Sequence, residues 1–227
     1  MSSGTLIKDV KTFGLVLRRT NYGEADRVLN IITPEGKMAV MAKGVRKAKS
    51  RLAGAVEMFT LSDLMVHFGR GEMGTLTGAR MVRHYGEIVK DLAKLELASL
   101  FLKMINKVAD SVDSEDYYNI LDQALMALND GVKMDLVEAW FRLNLRQASG
   151  DEINLYCDNE GRKLKADCRY EWDDLEEVFN LNEFGKCGAD EIKMLRLMTA
   201  NDYNVVKRVK IDDATPQRIL QLVRRVI

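Results

Sequence analysis

The sequence predicts a mixed α+β protein in which a small β-barrel is followed by an α-helical domain. Two observations predict this division. Up to about residue 80, short apolar runs of β-prone residues alternate with turn residues, and beyond Gly86 the apolar residues recur at helical spacing. We therefore expect a barrel domain over residues 1–80 and a helical domain over residues 81–227, with an irregular insert at about 151–187.

Five segments of the first part have the character of strands: residues 13–17, 27–33, 38–42, 58–68 and 75–79. Pro34-Glu35-Gly36 is a strong turn signal between the second and third of them. A glycine-rich segment, residues 69–74, separates the last two. A five-stranded OB-fold barrel accounts for this pattern most simply, because closing the barrel removes most exposed strand edges.

Periodic apolar residues predict helices over about 88–108, 114–128, 134–145, 189–198 and 215–226. Asp113 and Ser114 offer an N-terminal cap for the second helix. Gly150 lies where the third helix should have its C-terminal cap. Thr215 and Pro216 fit the cap and the first turn of the last helix.

The charge of the chain is unevenly distributed. The 227 residues are 47% hydrophobic and 30% charged, so the chain can bury a core, and the formal net charge is zero. Residues 1–86, however, hold 14 Lys and Arg against 7 Asp and Glu, whereas the remainder holds 20 against 27. The basic first part is the candidate for binding nucleic acid or another anionic surface.

Nothing in the sequence predicts secretion or a membrane span. Residues 1–11 lack the apolar core of a signal peptide, and the longest apolar runs, such as 97–102, are too short for a bilayer. Three widely spaced cysteines do not make a disulfide framework. We expect a cytoplasmic protein that makes no membrane contact.

The segment from Lys37 to Arg51 carries six basic residues in fifteen positions, and no acidic residue lies between Gly36 and Val56. Its first half is apolar enough for a strand, and its second half is small, basic and interrupted by glycine, which predicts an exposed loop. Like charges at this density repel one another, and a bound phosphate backbone relieves that repulsion. The alternative is a solvated surface loop or a disordered basic segment.

Arg and Lys on a fixed surface are the best phosphate ligands, so we take nine cations of the first part as the candidate nucleic-acid-binding residues. They are Arg18, Arg19, Lys37, Lys43, Arg46, Lys47, Lys49, Arg51 and Arg70. The aromatic residues that could stack on bases are sparse, and their apolar context predicts that most belong to the core. They are Phe13, Tyr22, Phe59, Phe68 and Tyr85. An electrostatic site predicts weak sequence preference and strong salt dependence.

No motif supports catalysis, and we expect a protein that is not an enzyme and needs no cofactor. His67 and His84 have no nucleophile at motif spacing, and no phosphate-binding loop or zinc-protease motif occurs. The glycines of segment 69–74 imitate a dinucleotide fingerprint without its helix, so a hairpin turn is the better interpretation. The acidic residues of segment 173–177 fit a solvated face better than a metal site.

Several motifs resemble the RecO family of bacterial recombination mediators. They are residues 14–27, Thr33-Pro34-Glu35-Gly36, the segment 43–54, Glu57-Met58-Phe59 and the segment 69–76, and the match is dense over residues 13–80. The resemblance implies an N-terminal OB domain followed by a helical domain. It also implies binding of single- and double-stranded DNA, annealing of complementary strands, and cooperation with RecR to load RecA onto DNA coated by single-strand-binding protein (SSB) in the bacterial nucleoid.

The same resemblance implies a site for the C-terminal tail of SSB, which is acidic and has an aromatic residue near its end. Recognition of such a tail needs an apolar groove bordered by cations. The predicted helices of the second part offer Lys103, Lys107, Arg142 and Arg146. The alternative is that these cations are solvated or paired with nearby acidic residues.

Many members of this family carry a four-cysteine zinc element, and this chain departs from it. Glu160 stands where the second cysteine of the Cys-x-x-Cys-Gly step beginning at Cys157 would be, and Cys168 and Cys187 are not paired at ligand spacing. We expect no metal, and a region held by a hydrophobic cluster around Tyr170, Trp172 and Phe179.

Two further function classes remain open from the residues alone. One is an OB-fold RNA-binding module with a helical adaptor domain, and the other is a protein–protein scaffold that binds no nucleic acid. Tolerance of duplex DNA separates the first from a DNA mediator, because an RNA module should prefer RNA through 2′-hydroxyl contacts.

Overall fold

A computed structural model describes residues 8–109, 115–199, 203–208 and 215–226 of the chain. The chain divides into two compact units, residues 1–129 and residues 130–227. The sequence-based boundary at residue 80 lies inside the last strand of the barrel, and two helices group with the barrel in the first unit. The independent folding of residues 1–80 and of residues 81–227 stays a prediction.

The first unit contains a closed five-stranded barrel, with strands in the order β1-β2-β3-β5-β4. The strands are β1 (Lys8–Tyr22), β2 (Asp26–Thr33), β3 (Gly36–Ala42), β4 (Thr60–Phe68) and β5 (Gly74–His84). All neighbours are antiparallel except β3 and β5, and β1 closes the barrel on β4. This arrangement confirms the predicted OB-fold.

β1 and β5 are longer than the apolar runs that predicted them. The polar end of β1 pairs with β2 from Arg18 opposite Asn30 to Tyr22 opposite Asp26. β5 pairs with the whole of β4, ending with His84 opposite Thr60. Backbone pairing with a neighbouring strand extends both elements beyond the residues that the core requires, because cross-strand hydrogen bonds do not depend on apolar side chains.

The barrel interior is filled by aliphatic side chains that are almost fully buried, among them Leu29, Ile31, Val40 and Leu64. Each contributes roughly 1.5–3 kcal/mol through the removal of apolar surface from water. Gly14 on β1 leaves room for them, because a Cβ there would lie 2.6 Å from Ile31 Cγ2. A side chain at this position would therefore force the barrel apart.

Two helices, α1 (Leu92–Val108) and α2 (Glu115–Asn129), pack against β1 and β2 in the first unit. Asp91 caps α1 by accepting hydrogen bonds from the backbone of Ala93 and Lys94. The predicted cap of α2 at Ser114 lies outside the described residues. The Tyr85 hydroxyl donates to Asp122 of α2 and fixes the end of β5 to that helix.

The second unit combines helices with one short β-hairpin. Its elements are α3 (Met134–Ala148), β6 (Tyr170–Asp173), β7 (Val178–Leu181), α4 (Ala189–Met198), α5 (Tyr203–Arg208) and α6 (Thr215–Val226). α3 packs against α4 and α6. Gly150, with φ of 82°, follows the end of α3 where the sequence predicted a C-terminal cap. No described helix in either unit reaches both the length and the apolar character of a bilayer span.

A buried carboxylate links α3 to α6. Glu138 is 3% exposed and accepts from Arg142 Nε at 2.8 Å within α3. Arg224 of α6 donates two hydrogen bonds to the same carboxylate, at 3.0 and 2.7 Å. Burial would raise the pKa of Glu138, but the hydrogen bonds from Arg224 and Arg142 outweigh it and lower the pKa.

The hairpin of the irregular region is held by aromatic side chains, as predicted. The rings of Trp172 and Phe179 meet edge to face with centroids 4.9 Å apart, and Tyr170 contacts Phe179 at 6.4 Å. All three are buried. These three aromatic side chains give the hairpin an apolar core of its own.

Candidate nucleic-acid interface

The basic loop, defined here as residues 43–51, leaves the end of β3 and passes over the end of the barrel. Val45 of the loop belongs to the barrel core and is 2% exposed, and Leu52 just beyond the loop packs against the same cluster. A short 3₁₀ helix, Gly54–Val56, follows, with Val56 fully buried. The loop is therefore anchored on both sides, which leaves its polar residues on a fixed surface.

Hydrogen bonds fasten the basic loop to the turn between β1 and β2. The Gly44 amide donates to Asp26 Oδ1 at 2.6 Å, and the Arg46 amide donates to the Ala25 carbonyl at 2.9 Å. Gly44 has a φ of 63°, in the left-handed region that favours glycine, and this conformation turns the chain back toward β2. The loop and the turn therefore form one continuous surface.

The five cations of the basic loop are all exposed: Lys43, Arg46, Lys47, Lys49 and Arg51. Arg46 Nη1 donates to the Gly23 carbonyl at 3.2 Å. No carboxylate of the described residues lies within ion-pair distance of any of these five cations. Their charge is therefore not neutralised locally, and the surface offers several donors to a row of phosphates.

Two more candidates lie on β1 beside this region. Arg18 is exposed opposite Asn30. Arg19, opposite Leu29, is partly buried and forms an ion pair with Glu57, which also accepts from Arg27 at 3.5 Å. Glu57, the first acidic residue after the basic segment, thus neutralises Arg19 of β1 and Arg27 of β2. The cations of the basic loop keep their charge.

Lys37 and Arg70 lie toward the other end of β3. Lys37 is the second residue of this strand, six residues and about 20 Å from Lys43, where the basic loop begins. Its Nζ donates to the Asn106 carbonyl of α1 at 2.7 Å. Arg70 lies in the turn before Gly74, and Gly74 pairs in parallel with Val40, which places the turn toward the Lys37 end. The nine candidates therefore do not form a single patch.

The aromatic candidates divide into two groups. Phe59 and Tyr85 are buried, at 5% and 0% exposure, as their apolar context predicted. Tyr22 is 59% exposed at the end of β1, next to the turn that the basic loop contacts, and Phe13 is 47% exposed on the same strand. Tyr22 therefore stays a stacking candidate, and Phe68 is partly buried against the barrel core.

The four cations of the predicted SSB-tail groove occupy different environments. Lys103 and Lys107 are exposed, one turn apart, on α1 of the first unit. In the second unit, Arg142 is paired with the buried Glu138, and Arg146 is 7% exposed. Arg146 forms ion pairs with Asp151 at 3.0 Å and with Glu177 at 2.5 Å.

The residues around Cys157 do not form a metal site. Among the described residues, no group of three or more His, Cys, Asp or Glu side chains could hold an ion. Glu160 is paired with Arg162 at 2.7 Å, and burial raises the pKa of the Cys187 thiol to about 12. The side chains present thus do not fit the zinc of the family element, and the absence of zinc from the protein stays a prediction.

The two histidines and the glycine-rich segment have structural partners. His67 Nδ1 lies 2.7 Å from Asp9, and His84 Nδ1 lies 3.0 Å from the Thr60 hydroxyl. Segment 69–74 joins the antiparallel strands β4 and β5, as the hairpin interpretation predicted. The acidic Asp173 accepts from the backbone of the hairpin turn and stabilises it.

Comparison with known proteins assigns the barrel to a family. The family model described as Recombination protein O N terminal matches residues 7–85, which covers the five strands. A DNA repair protein RecO from Bacillus cytotoxicus is 28% identical over 225 residues, covering 92% of this chain and 87% of the relative. The RecO of Dehalococcoides mccartyi strain CBDB1 is 28% identical over 212 residues, covering 90% and 83%.

A third relative, the DNA repair protein RecO of Roseiflexus sp. strain RS-1, is 33% identical over 147 residues. That match covers 64% of this chain, and the chain spans about half, 52%, of the relative's length. The longer matches extend through the second unit, although the family model covers only the barrel. The barrel thus matches the N-terminal family model of RecO, and the chain is similar over most of its length to DNA repair proteins named RecO.

Proposed function

We propose that this chain binds single- and double-stranded DNA and acts in DNA repair as a recombination mediator. The observation that carries the proposal is the basic loop. Its five exposed cations have no carboxylate partner among the described residues, and the loop is fastened to the β1–β2 turn at the end of an OB barrel. The family's curated relatives, which are named DNA repair proteins, support the biological setting.

The geometry suits annealing of complementary strands. Two DNA strands repel each other through their phosphates, and a surface that neutralises several phosphates lowers that repulsion. The cations of the basic loop lie on one anchored segment, and contacts from such cations to phosphates carry no sequence information. The basic loop should therefore bind DNA of any sequence. The same surface should accept two DNA strands one after the other.

The proposed partner proteins are those that the resemblance to the RecO family implies. We infer that the chain works with RecR to load RecA onto SSB-coated DNA, and that the SSB tail binds the helical part. Of the four predicted groove cations, Lys103 and Lys107 lack a carboxylate partner among the described residues, so they are the better candidates. Replacing both with Glu should weaken binding of an SSB-tail peptide about tenfold or more, and an unchanged affinity would exclude them.

A strand-annealing assay, with and without SSB, tests the proposed function. The protein should accelerate the annealing of complementary DNA oligonucleotides and retain this activity on strands already coated with SSB. A matched pair of RNA oligonucleotides serves as the comparison. Acceleration of RNA annealing alone, or preference for RNA over DNA at equal salt, would support the RNA-binding alternative and contradict the proposal.

A further inference from the structure

One carboxylate at the end of the barrel is shared by two arginines of neighbouring strands. Glu57 Oε2 accepts a hydrogen bond from Arg19 Nη1 of β1, and Glu57 Oε1 lies 3.5 Å from Arg27 Nη1 of β2. The Nε of Arg27 donates to Asn21 Oδ1 at 3.3 Å, which orients the guanidinium group. Glu57 itself directly follows the buried Val56, so its backbone is held in place beside the two strands.

This ion-pair cluster of Arg19, Arg27 and Glu57 adjoins the basic loop. Arg27 lies opposite Ala42, the residue directly before Lys43, and residues opposite each other on antiparallel strands have Cβ atoms about 5 Å apart. The neighbouring Asp26 accepts the hydrogen bond from Gly44 of the loop. Because a DNA strand carries one phosphate about every 3.4 Å of helix axis, a strand held by the loop brings a phosphate within reach of Arg27.

The three side chains of the cluster are accessible to solvent. Glu57 is 46% exposed, and Arg19 and Arg27 are 26% and 24% exposed. Ion pairs between groups this accessible contribute little to the stability of a fold, because water and salt screen the attraction. The folded chain therefore loses little when the carboxylate of Glu57 is exchanged for another anion.

A phosphate is a suitable replacement for this carboxylate. The guanidinium group of arginine presents its N–H donors in a planar fork, and carboxylate and phosphate oxygens both accept hydrogen bonds from that fork. While Glu57 holds the two arginines, its negative charge also repels a phosphate that approaches them. Glu57 thus has both the position and the charge of a group that competes with DNA.

We propose that Arg19 and Arg27 form a phosphate-binding position beside the basic loop, which Glu57 occupies in the free protein and leaves when DNA binds. Glu57 then limits the affinity for DNA, because its displacement is part of each binding event. The inference rests on the proposed DNA binding and extends it to Arg27, which lies outside the basic loop. If Glu57 only supported the fold of the barrel end, its removal would instead weaken DNA binding.

The test measures binding of a fluorescein-labelled single-stranded oligonucleotide of mixed sequence to the full chain, at several salt concentrations. Glu57→Gln removes the charge and keeps the size of the side chain. The variant should bind about three- to tenfold more tightly than the wild type, because two guanidinium groups become free for phosphates. The slope of log affinity against log salt should steepen by roughly one unit, since more phosphates are neutralised.

Glu24→Gln is the matched control, because it changes the net charge equally. Glu24 is exposed in the β1–β2 turn and forms no ion pair with a described residue, so this variant frees no cation and should keep the wild-type slope. Adding Arg27→Gln to Glu57→Gln should remove most of the gain in affinity. Circular dichroism melts of each variant show whether the fold is kept.

Nuclear magnetic resonance of the arginine side chains gives a readout that needs no change at Glu57. The Nε–H signal of Arg27, assigned by its loss in Arg27→Lys, should shift when the oligonucleotide is added to the wild type. Unchanged or weaker DNA binding by a folded Glu57→Gln, or an Arg27 signal that does not move on binding, would overturn the proposal and leave the role of the basic loop intact. Absence of DNA binding by the wild type would contradict the proposed function, and this inference with it.

Discussion

Tyr22 shows how a single residue can change the character of the interface. The cations of the basic loop would contact phosphates of single and double strands alike, whereas an exposed aromatic ring can stack on a base only where the base is unpaired. Tyr22 is 59% exposed, and the neighbouring Gly23 carbonyl accepts a hydrogen bond from Arg46. We therefore expect Tyr22 to favour single strands on a surface that is otherwise electrostatic.

Replacing Tyr22 with Leu should weaken single-stranded DNA binding by about 1–3 kcal/mol, or roughly 5- to 150-fold, because one stacking contact is lost. Tyr22→Phe should retain the affinity, since it keeps the ring. Duplex affinity should change little in either variant. Phe13→Leu, on an exposed aromatic of β1 opposite Asp63, is the control. Equal loss of single-strand and duplex affinity in Tyr22→Leu would show that the residue supports the fold of the turn.

At the scale of elements, the sequence predicted those whose pattern is long and regular. The five strands and the helices α1, α2, α3, α4 and α6 were found close to their predicted positions, because their apolar residues repeat at one period over several turns or pleats. The hairpin of β6 and β7 was not predicted as strands. Each strand has four residues, and the pair is held by packing of Trp172 on Phe179 rather than by a period.

The sequence identifies the cations of the candidate site, but it does not show which of them lie together on one surface. An acid-free run of cations identified the basic loop, but only the folded chain shows that Arg19 is neutralised by Glu57 and that Lys37 contacts α1. Ion pairs between residues distant in sequence, such as that of Arg146 with Glu177, leave no local signal.

The link between α3 and α6 predicts an acid-sensitive second unit. The pKa of Glu138 is lowered in the folded protein, so its contribution is present above the unfolded value of about 4.3 and is lost as the pH falls through the folded value. Glu138→Gln should cost about 1–3 kcal/mol at neutral pH, because Arg224 and Arg142 lose a charged acceptor.

Urea unfolding followed by circular dichroism at several pH values measures both effects of Glu138→Gln. The difference between wild type and variant should shrink below pH 4, since the protonated carboxyl resembles the amide. A difference that stays constant down to pH 3, roughly one unit below the unfolded carboxyl pKa, would contradict this account of the link.

The region around Cys157 should fold without metal. Its side chains are engaged elsewhere, with Glu160 paired to Arg162 and Trp172 packed on Phe179. Elemental analysis of purified protein should find far less than one zinc per chain, and a chelator should leave the melting temperature unchanged. Stoichiometric zinc with unfolding on chelation would show that the cysteines converge in solution.

The whole molecule separates its charges between two units. Residues 1–129 hold 18 Lys and Arg against 15 Asp and Glu, and residues 130–227 hold 16 against 19. This polarity favours DNA on the first unit and leaves the second for protein partners. A neutral average charge therefore hides a basic first unit and an acidic second unit.

A fragment of residues 1–129 should fold and bind DNA with nearly the affinity of the whole chain. It keeps β5 intact to His84 and the two helices that pack against β1 and β2. A fragment ending at residue 80 cuts β5 and uncovers buried residues such as Leu15, so it should unfold at a lower urea concentration. Equal stability and affinity of the two fragments would show that the barrel needs neither helix.

The central claim is that the basic loop carries DNA affinity, and the salt dependence of binding tests it most directly. Replacing Lys43, Arg46 and Lys47 with Ala removes three predicted phosphate contacts. A matched control replaces three exposed lysines of the second unit, Lys163, Lys165 and Lys193. Dissociation constants are measured at several salt concentrations on two unrelated DNA sequences.

The loop variant should bind both sequences more weakly, and the slope of log affinity against log salt should flatten by roughly two to three units. The control variant, with the same change in net charge, should keep the wild-type slope. A loop variant whose affinity and slope match those of the wild type would contradict the claim.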